Sequence, residues 1–215
     1  MNLFLSLLAG VLLAGLLYCE KKIPPRVLPA KFFLSLLFVV AAFLQPHRIP
    51  VYFELILGGL TLCLIGDVCL ALPGDKSFRA GLGAFLLGHV SYILGFLSLL
   101  GIRSWVSPGA GLVALSSGTV FLWLYPRLKS MRVPVLLYIL VISVMLAGAW
   151  AIFRESAFPF PGTAMIFAGA LCFYLSDLFV ARDRFVRKEF LNRLVGLPLY
   201  YAGQFLLAFS LGQLR

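Results

Sequence analysis

Eight apolar runs, each close to the length that crosses a bilayer, follow one another between residues 2 and 213, with only short charged or proline-bearing gaps between them. A spanning helix needs about 20 mostly apolar residues, with roughly 17–25 tolerated. The runs fall at 2–19, 31–45, 51–72, 78–100, 109–125, 133–153, 162–181 and 194–213. The expected fold class is therefore all-α, a polytopic membrane protein with eight transmembrane helices. Prolines mark the boundaries, and only Pro134 and Pro198 lie inside a run, as expected where helices stop. Composition agrees: the chain is 62% hydrophobic and 12% charged, well above the roughly 45–50% apolar share of soluble domains.

The formal net charge of +10 raises the question of nucleic acid, but the Lys and Arg residues sit in the gaps rather than on one basic face. Nucleic acid is set aside. Cys19, Cys63, Cys69 and Cys172 all lie in apolar runs without a CxxC pair, so they read as small buried hydrophobes. The first run has no basic stretch before it and no small-residue cleavage site after it, so it is expected to be a retained helix.

Counting Lys and Arg by loop tests the span number. The loops after runs 1, 3, 5 and 7 hold Lys21, Lys22, Arg26 and Lys31; Lys76 and Arg79; Arg127, Lys129 and Arg132; and Arg182, Arg184, Arg187, Lys188 and Arg193, in all 14. The other side holds 4: Arg48, Arg103, Arg154 and Arg215. A missed helix would scramble this alternation. The positive-inside rule makes the first set cytoplasmic and places both termini on the other side. The halves also resemble one another: a shift of 110 residues lays Asp67 on Asp177, and a shift of 111 lays His89 on Tyr200. The chain reads as a single integral-membrane domain, 1–215, with two tandem four-helix pseudo-repeats, 1–105 and 106–215. Chance similarity between apolar helices is the competing explanation.

An ionisable residue inside a membrane span is costly and is by default a functional-site candidate. Asp67 lies in GDVCLAL and Asp177 in YLSDLFV, each near the cytoplasmic end of its run, roughly 6–8 Å below the boundary at 1.5 Å per residue. His89, in AFLLGHVSYILGF, lies deeper from the same side, with Tyr92 about one turn beyond it. Ser176, Asn192, Tyr200 and Tyr201 sit at a similar depth to the carboxyls. Each has a plainer reading. An intramembrane Asp can simply join helices by hydrogen bonds, a lone His is more often a packing residue, and tyrosines form interfacial belts. His47, the second histidine, is on the opposite face, so a multi-histidine metal site cannot be built. No metal or other cofactor is expected.

Two carboxyls facing one partly dry cavity will not both ionise readily. One stays protonated as an acid while the other accepts a proton, the equipment for hydrolysing a bond that needs protonation on one side and water on the other. No GxSxG elbow, HExxH, phosphate loop or dinucleotide fingerprint is present.

At GDVCLAL, AFLLGHVSYILGF, GALCFYLSD and YYAGQFLLAFS the chain resembles the lysoplasmalogenase family, the YhhN-type multi-pass membrane proteins, nearly end to end. The resemblance implies eight transmembrane helices and hydrolysis of the vinyl ether bond of lysoplasmalogens, releasing a fatty aldehyde and glycerophosphoethanolamine or glycerophosphocholine. Its partners would then be a lysophospholipid substrate and membrane lipids. It would carry Asp67, His89, Ser176, Asp177, Tyr200 and Tyr201 over as site residues. Our inference for their roles is Asp67 and Asp177 as the catalytic carboxyls, with His89, Tyr92, Ser176, Asn192, Tyr200 and Tyr201 positioning substrate or water. The alternative is a small-molecule or lipid transporter or flippase, for which paired halves and the glycines of runs 4 and 8 speak. A transporter places its polar groups near the midplane, whereas both Asp residues lie close to one face. A multi-pass protein of this kind is expected in the inner membrane of a bacterium or the endoplasmic reticulum of a eukaryote.

Overall fold

Each apolar run must satisfy its own backbone in hydrocarbon, and a helix does so within the segment. The computed structural model describes residues 1–214 and contains eight long helices: α1 (Asn2–Lys22), α2 (Val27–Phe43), α3 (Pro50–Ala71), α4 (Asp75–Leu99), α5 (Pro108–Leu124), α6 (Arg132–Phe153), α7 (Phe160–Ala181) and α8 (Phe190–Ser210). Arg215, one of the four basic residues assigned to the less basic side by the loop count, lies outside the described residues. Helix starts follow local chemistry. Pro50 opens α3 and Pro108 opens α5, positions where a missing N–H costs nothing, and Ser107 caps α5 by accepting from the Ala110 N–H at 3.3 Å. The turn between α3 and α4 requires Gly74, whose φ of 103° is closed to most other residues.

Helices α1 to α7 are long and apolar enough to cross a membrane. Helix α8 has 21 residues but is less apolar, since it carries Asn192, Arg193, Pro198, Tyr200, Tyr201 and Gln204. Its position explains this composition. Consecutive residues from Leu207 to Ser210 are all buried, so the helix is enclosed on every side there. It packs on α7 and α2 and also touches α1 and α3. Helix α5 is its opposite: only Ser117 and Leu124 are buried, and it leans chiefly on α6. Large exposed apolar side chains such as Leu112, Leu115 and Leu122 suit a lipid-facing surface.

One boundary needs correction. The run placed at 31–45 is a helix from Val27, after a 3₁₀ turn at Pro24–Arg26. Lys31 therefore belongs to the second turn of α2, not to the basic loop before it. Pro29 fits there because a proline in the first turn removes no intrahelical bond.

Two hairpins are packed through glycine. A Cβ on Gly203 of α8 would stand 2.8 Å from the Gly169 carbonyl and 3.1 Å from the Phe173 amide of α7, and one on Gly169 would stand 3.0 Å from the Gly203 carbonyl. The α3–α4 pair has a similar contact, with a Cβ on Gly88 lying 3.2 Å from the Gly59 carbonyl. Small residues allow backbones to approach this closely in a membrane. Gly203→Ala is expected to destabilise the protein by about 1–3 kcal/mol, since the obstructing atoms are backbone and cannot rotate away. Gly118→Ala, on an open face with nothing within 4 Å, is expected to leave stability unchanged. Thermal unfolding of the two variants in detergent measures the difference.

Candidate functional site

Asp67 and Asp177 each stand four residues before the end of their helix, and both line one cavity of about 990 Å³. The cavity lies at the end of the bundle where the α3–α4 and α7–α8 turns meet, since Pro73, Gly74 and Arg184 to Lys188 also line it.

The two carboxyls have different surroundings. Asp67 is 2% exposed. Its Oδ2 accepts hydrogen bonds from Ser35 Oγ at 2.7 Å and Tyr200 OH at 2.6 Å, and its Oδ1 is 4.0 Å from Lys31 Nζ. Lys31 and Ser35 are four residues apart on α2, so one helix face presents both to Asp67. A lysine only 8% exposed is uncommon unless paired, and the carboxylate supplies that partner. Tyr201 OH lies 3.3 Å from Ser35 Oγ and so reaches Asp67 only through it. Asp177 is half-buried and accepts one hydrogen bond at Oδ2, from Tyr138 OH of α6 at 2.6 Å.

Of the residues expected at the site, Asp67, Asp177, Ser176, Asn192 and Tyr200 line the cavity. His89, Tyr92 and Tyr201 are one layer behind it. His89 is fully buried against Phe173, at 4.6 Å between ring centroids, and Tyr138, at 5.2 Å. Neither of its ring nitrogens has a hydrogen-bond partner among the described residues. Tyr92 OH donates to Gln204 Oε1 at 2.8 Å. Ser176 Oγ is turned to its own helix, donating to the Phe173 carbonyl at 2.8 Å. Asn192 is held by donating to Asp183 at 3.1 Å and to the Arg187 carbonyl at 2.8 Å while accepting from Arg182.

Three residues escaped the sequence reading. Lys31 reads as a loop charge in the sequence, because hydropathy alone does not carry the helix back to Val27. Ser35 is a single hydroxyl in an apolar run, and Tyr138 lies in LLYILV, where a tyrosine resembles core packing. The i, i+4 spacing of Lys31 and Ser35 was the available signal.

Across the mouth, Arg184 of the α7–α8 turn pairs with Asp75 at the start of α4 and lies over the Phe78 ring at 4.3 Å, while Phe78 meets Phe185 edge-on at 6.2 Å. Arg193 pairs with Glu20 and lies 3.7 Å from Asp183; Glu189 pairs with Arg182 at 2.8 Å and Arg187 at 2.7 Å. The Arg184–Asp75 and Arg187–Glu189 pairs are largely exposed and contribute about 0–1 kcal/mol each, so their role is to fix the turns, whereas the Glu20 side chain is buried and its pair with Arg193 ties α8 to α1. Among the described residues, no group of three or more His, Cys, Asp or Glu side chains could hold a metal ion.

Residues 28–211 match the YhhN family. A protein of Mycobacterium tuberculosis named lysoplasmalogenase is 29% identical over 185 residues, covering 82% of this chain and 66% of that protein. The protein of Rattus norvegicus named lysoplasmalogenase TMEM86B is 33% identical over 162 residues, covering 74% of this chain and 62% of its own. The protein of Escherichia coli named uncharacterized membrane protein YhhN is 30% identical over 182 residues, covering 83% of this chain and 84% of its own. The chain thus spans just under two thirds of the mycobacterial and rat proteins. No solved structure matches it.

Proposed function

The chain belongs to the YhhN family, and from that premise we propose that it is a membrane-embedded hydrolase cleaving the vinyl ether bond of lysoplasmalogens, yielding a fatty aldehyde and glycerophosphoethanolamine or glycerophosphocholine. The observation that carries this reading is the placement of two carboxyls, Asp67 and Asp177, in the wall of one cavity whose mouth bears Lys188 beside Arg184 and Arg187, each of which is engaged in an ion pair. An amphiphile with a phosphate head and a reactive bond just below it suits that arrangement, and the names borne by the mycobacterial and rat relatives agree with it.

In this mechanism one carboxyl protonates the vinyl ether β-carbon and the other takes a proton from the attacking water. Tyr200, Ser35 and Lys31 fix the position and charge of Asp67, and Tyr138 does so for Asp177. Tyr201 acts on Asp67 only through Ser35, and His89 supports the Tyr138 ring. Incubating the purified protein with a panel of lysoplasmalogens and trapping the released aldehyde tests the activity. Absence of aldehyde from every member overturns the reading. A flippase would need its polar groups near the midplane, and these lie four residues from helix ends.

We further read both termini as non-cytoplasmic and the site as facing the cytoplasmic leaflet, from the bias of basic residues toward the loops after α1, α3, α5 and α7. An engineered cysteine at Lys188, in a cysteine-free background, is expected to resist membrane-impermeant thiol reagents in intact cells and to react once the cells are opened. Labelling from outside reverses the orientation. The single domain with halves 1–105 and 106–215 fits the packing of α2 on α8 and of α6 on α4, which are corresponding contacts in a tandem repeat.

A further inference from the structure

Resting on the lysolipid reading above, we propose that the substrate reaches the carboxyls sideways from the bilayer, through the gap between α4 and α6. Its hydrocarbon chain stays in a lipid-facing groove there while its head enters the cavity. The groove has a volume of about 340 Å³. Gly83 and Leu86 of α4 and Val133 and Leu137 of α6 line it, and Leu82 and Tyr138 line both this groove and the cavity that holds the carboxyls. Two side chains therefore part the cavity from the lipid. One of them, Tyr138, donates its hydroxyl to Asp177 at 2.6 Å. A bond held at Asp177 thus lies at the partition itself, and a chain attached to that bond has a short way out.

The groove has room for that chain. A Cβ on Gly83 would meet nothing within 4 Å, so the α4 wall is recessed there. From Arg79 to Leu86 the groove runs roughly 10 Å, at 1.5 Å per residue, and its apolar track does not end inside the protein. On α4 it continues through Val90 and Leu94, and on α6 through Leu140 and Val144, all exposed and following Leu86 and Leu137 at spacings of three or four residues, which keep to one helix face. The chain therefore needs no depth within the bundle, and its far end lies among the lipid tails it came from. At the opposite end Arg79 rims the groove, one turn before Gly83. Arg79 is exposed and takes part in none of the ion pairs among the described residues. An unpaired guanidinium above an apolar recess matches a phosphate head above a hydrocarbon chain. The other flank of the cavity is shut: Ser117 Oγ lies 2.8 Å from Tyr174 OH, which ties α5 to α7, and Leu124 and Leu128 pack there with Val135 and Phe185.

Two measurements on the purified full chain test this. In the first, a saturated-ether hexadecyl lysolipid carrying a diazirine in its chain near the ether is photolysed with the protein, with and without excess unlabelled lysolipid, and the labelled residues are mapped by mass spectrometry. Labelling that the excess lysolipid suppresses is expected at the groove residues of α4 and α6. The second is kcat/KM for a hexadecenyl vinyl ether and for a water-soluble but-1-enyl analogue, which needs no groove. Gly83→Trp fills the recess where no neighbour stands. It is expected to abolish the suppressible labelling and to lower kcat/KM for the long chain by roughly tenfold or more, leaving that for the short chain as it was. Leu137→Trp asks the same from the opposite wall if the first variant does not fold. Gly118→Trp, on an open face of α5, is expected to change neither readout. Suppressible labelling on other helices, or none, overturns the inference. So does groove labelling that excess lysolipid leaves unchanged, which marks a bystander membrane lipid, and so does a folded Gly83→Trp protein that keeps its long-chain kcat/KM. If no vinyl ether is cleaved but the suppressible labelling falls on the groove and is lost in Gly83→Trp, the groove stands and the hydrolase reading fails.

Discussion

Asp67→Asn and Asp177→Asn are each expected to lower lysoplasmalogen turnover by about a hundred- to ten-thousand-fold, the contribution of a positioned acid or base. Asparagine keeps the shape of each side chain, and its carbonyl can still accept from Ser35 and Tyr200 at position 67 or from Tyr138 at position 177. What is lost is the capacity to exchange the required proton. Both variants are expected to fold. Lys31, left without its anion in Asp67→Asn, lines the cavity and can turn its ammonium toward water while its stem stays packed. Circular dichroism and thermal unfolding check the fold alongside activity. A folded double variant with near-normal turnover would end the two-carboxylate mechanism.

The second large effect concerns the bond. Protonating the β-carbon of a vinyl ether gives an oxocarbenium ion; water captures it as a hemiacetal, which collapses to aldehyde and alcohol. A saturated ether has no carbon to protonate in this way, and acid assistance at its oxygen would have to expel a primary cation. The protein is therefore expected to cleave vinyl ether lysolipids and to leave alkyl ether analogues of equal chain length intact, because its acid is aimed at charge that develops only on the unsaturated substrate. In heavy water the trapped aldehyde is expected to carry one deuterium on the carbon next to the carbonyl. An unlabelled aldehyde, or equal cleavage of the alkyl ether, excludes this chemistry. Both outcomes differ from loss of substrate binding, which the rise in Tm of the purified protein on adding a saturated-ether lysolipid reads separately.

The helices and both carboxyls were legible because burial in hydrocarbon leaves a strong mark: a run of apolar residues has few fates, and a charge within it is conspicuous. The partners of those carboxyls were much less so. Tyr138 and Ser35 resemble packing residues until the neighbouring helix is in place, and Lys31 looked like a loop charge because a helix boundary set by hydropathy stops at the first charged residue. His89 is conspicuous in the sequence, but it lies behind Tyr138 and Phe173, since sequence spacing gives depth along a helix but not which neighbour each face meets. The crossing of α2 over α8, which brings Ser35 to Tyr201 across 166 residues of chain, has no local signature.

The enclosure of α8 bears on how the protein is assembled. A segment carrying Arg193, Asn192 and Gln204 among its apolar residues partitions poorly into lipid by itself, since charged and amide side chains disfavour insertion. Arg193, Asn192 and the Gln204 carbonyl become tolerable once Glu20, Asp183 and Tyr92 receive them, and the glycine contact with α7 supplies the docking surface. Seating α8 against these helices is also what brings the Tyr200 hydroxyl to Asp67. A chain whose α8 has not docked lacks the Tyr200 hydroxyl that holds Asp67, so under the two-carboxylate proposal the site is complete only once α8 is seated.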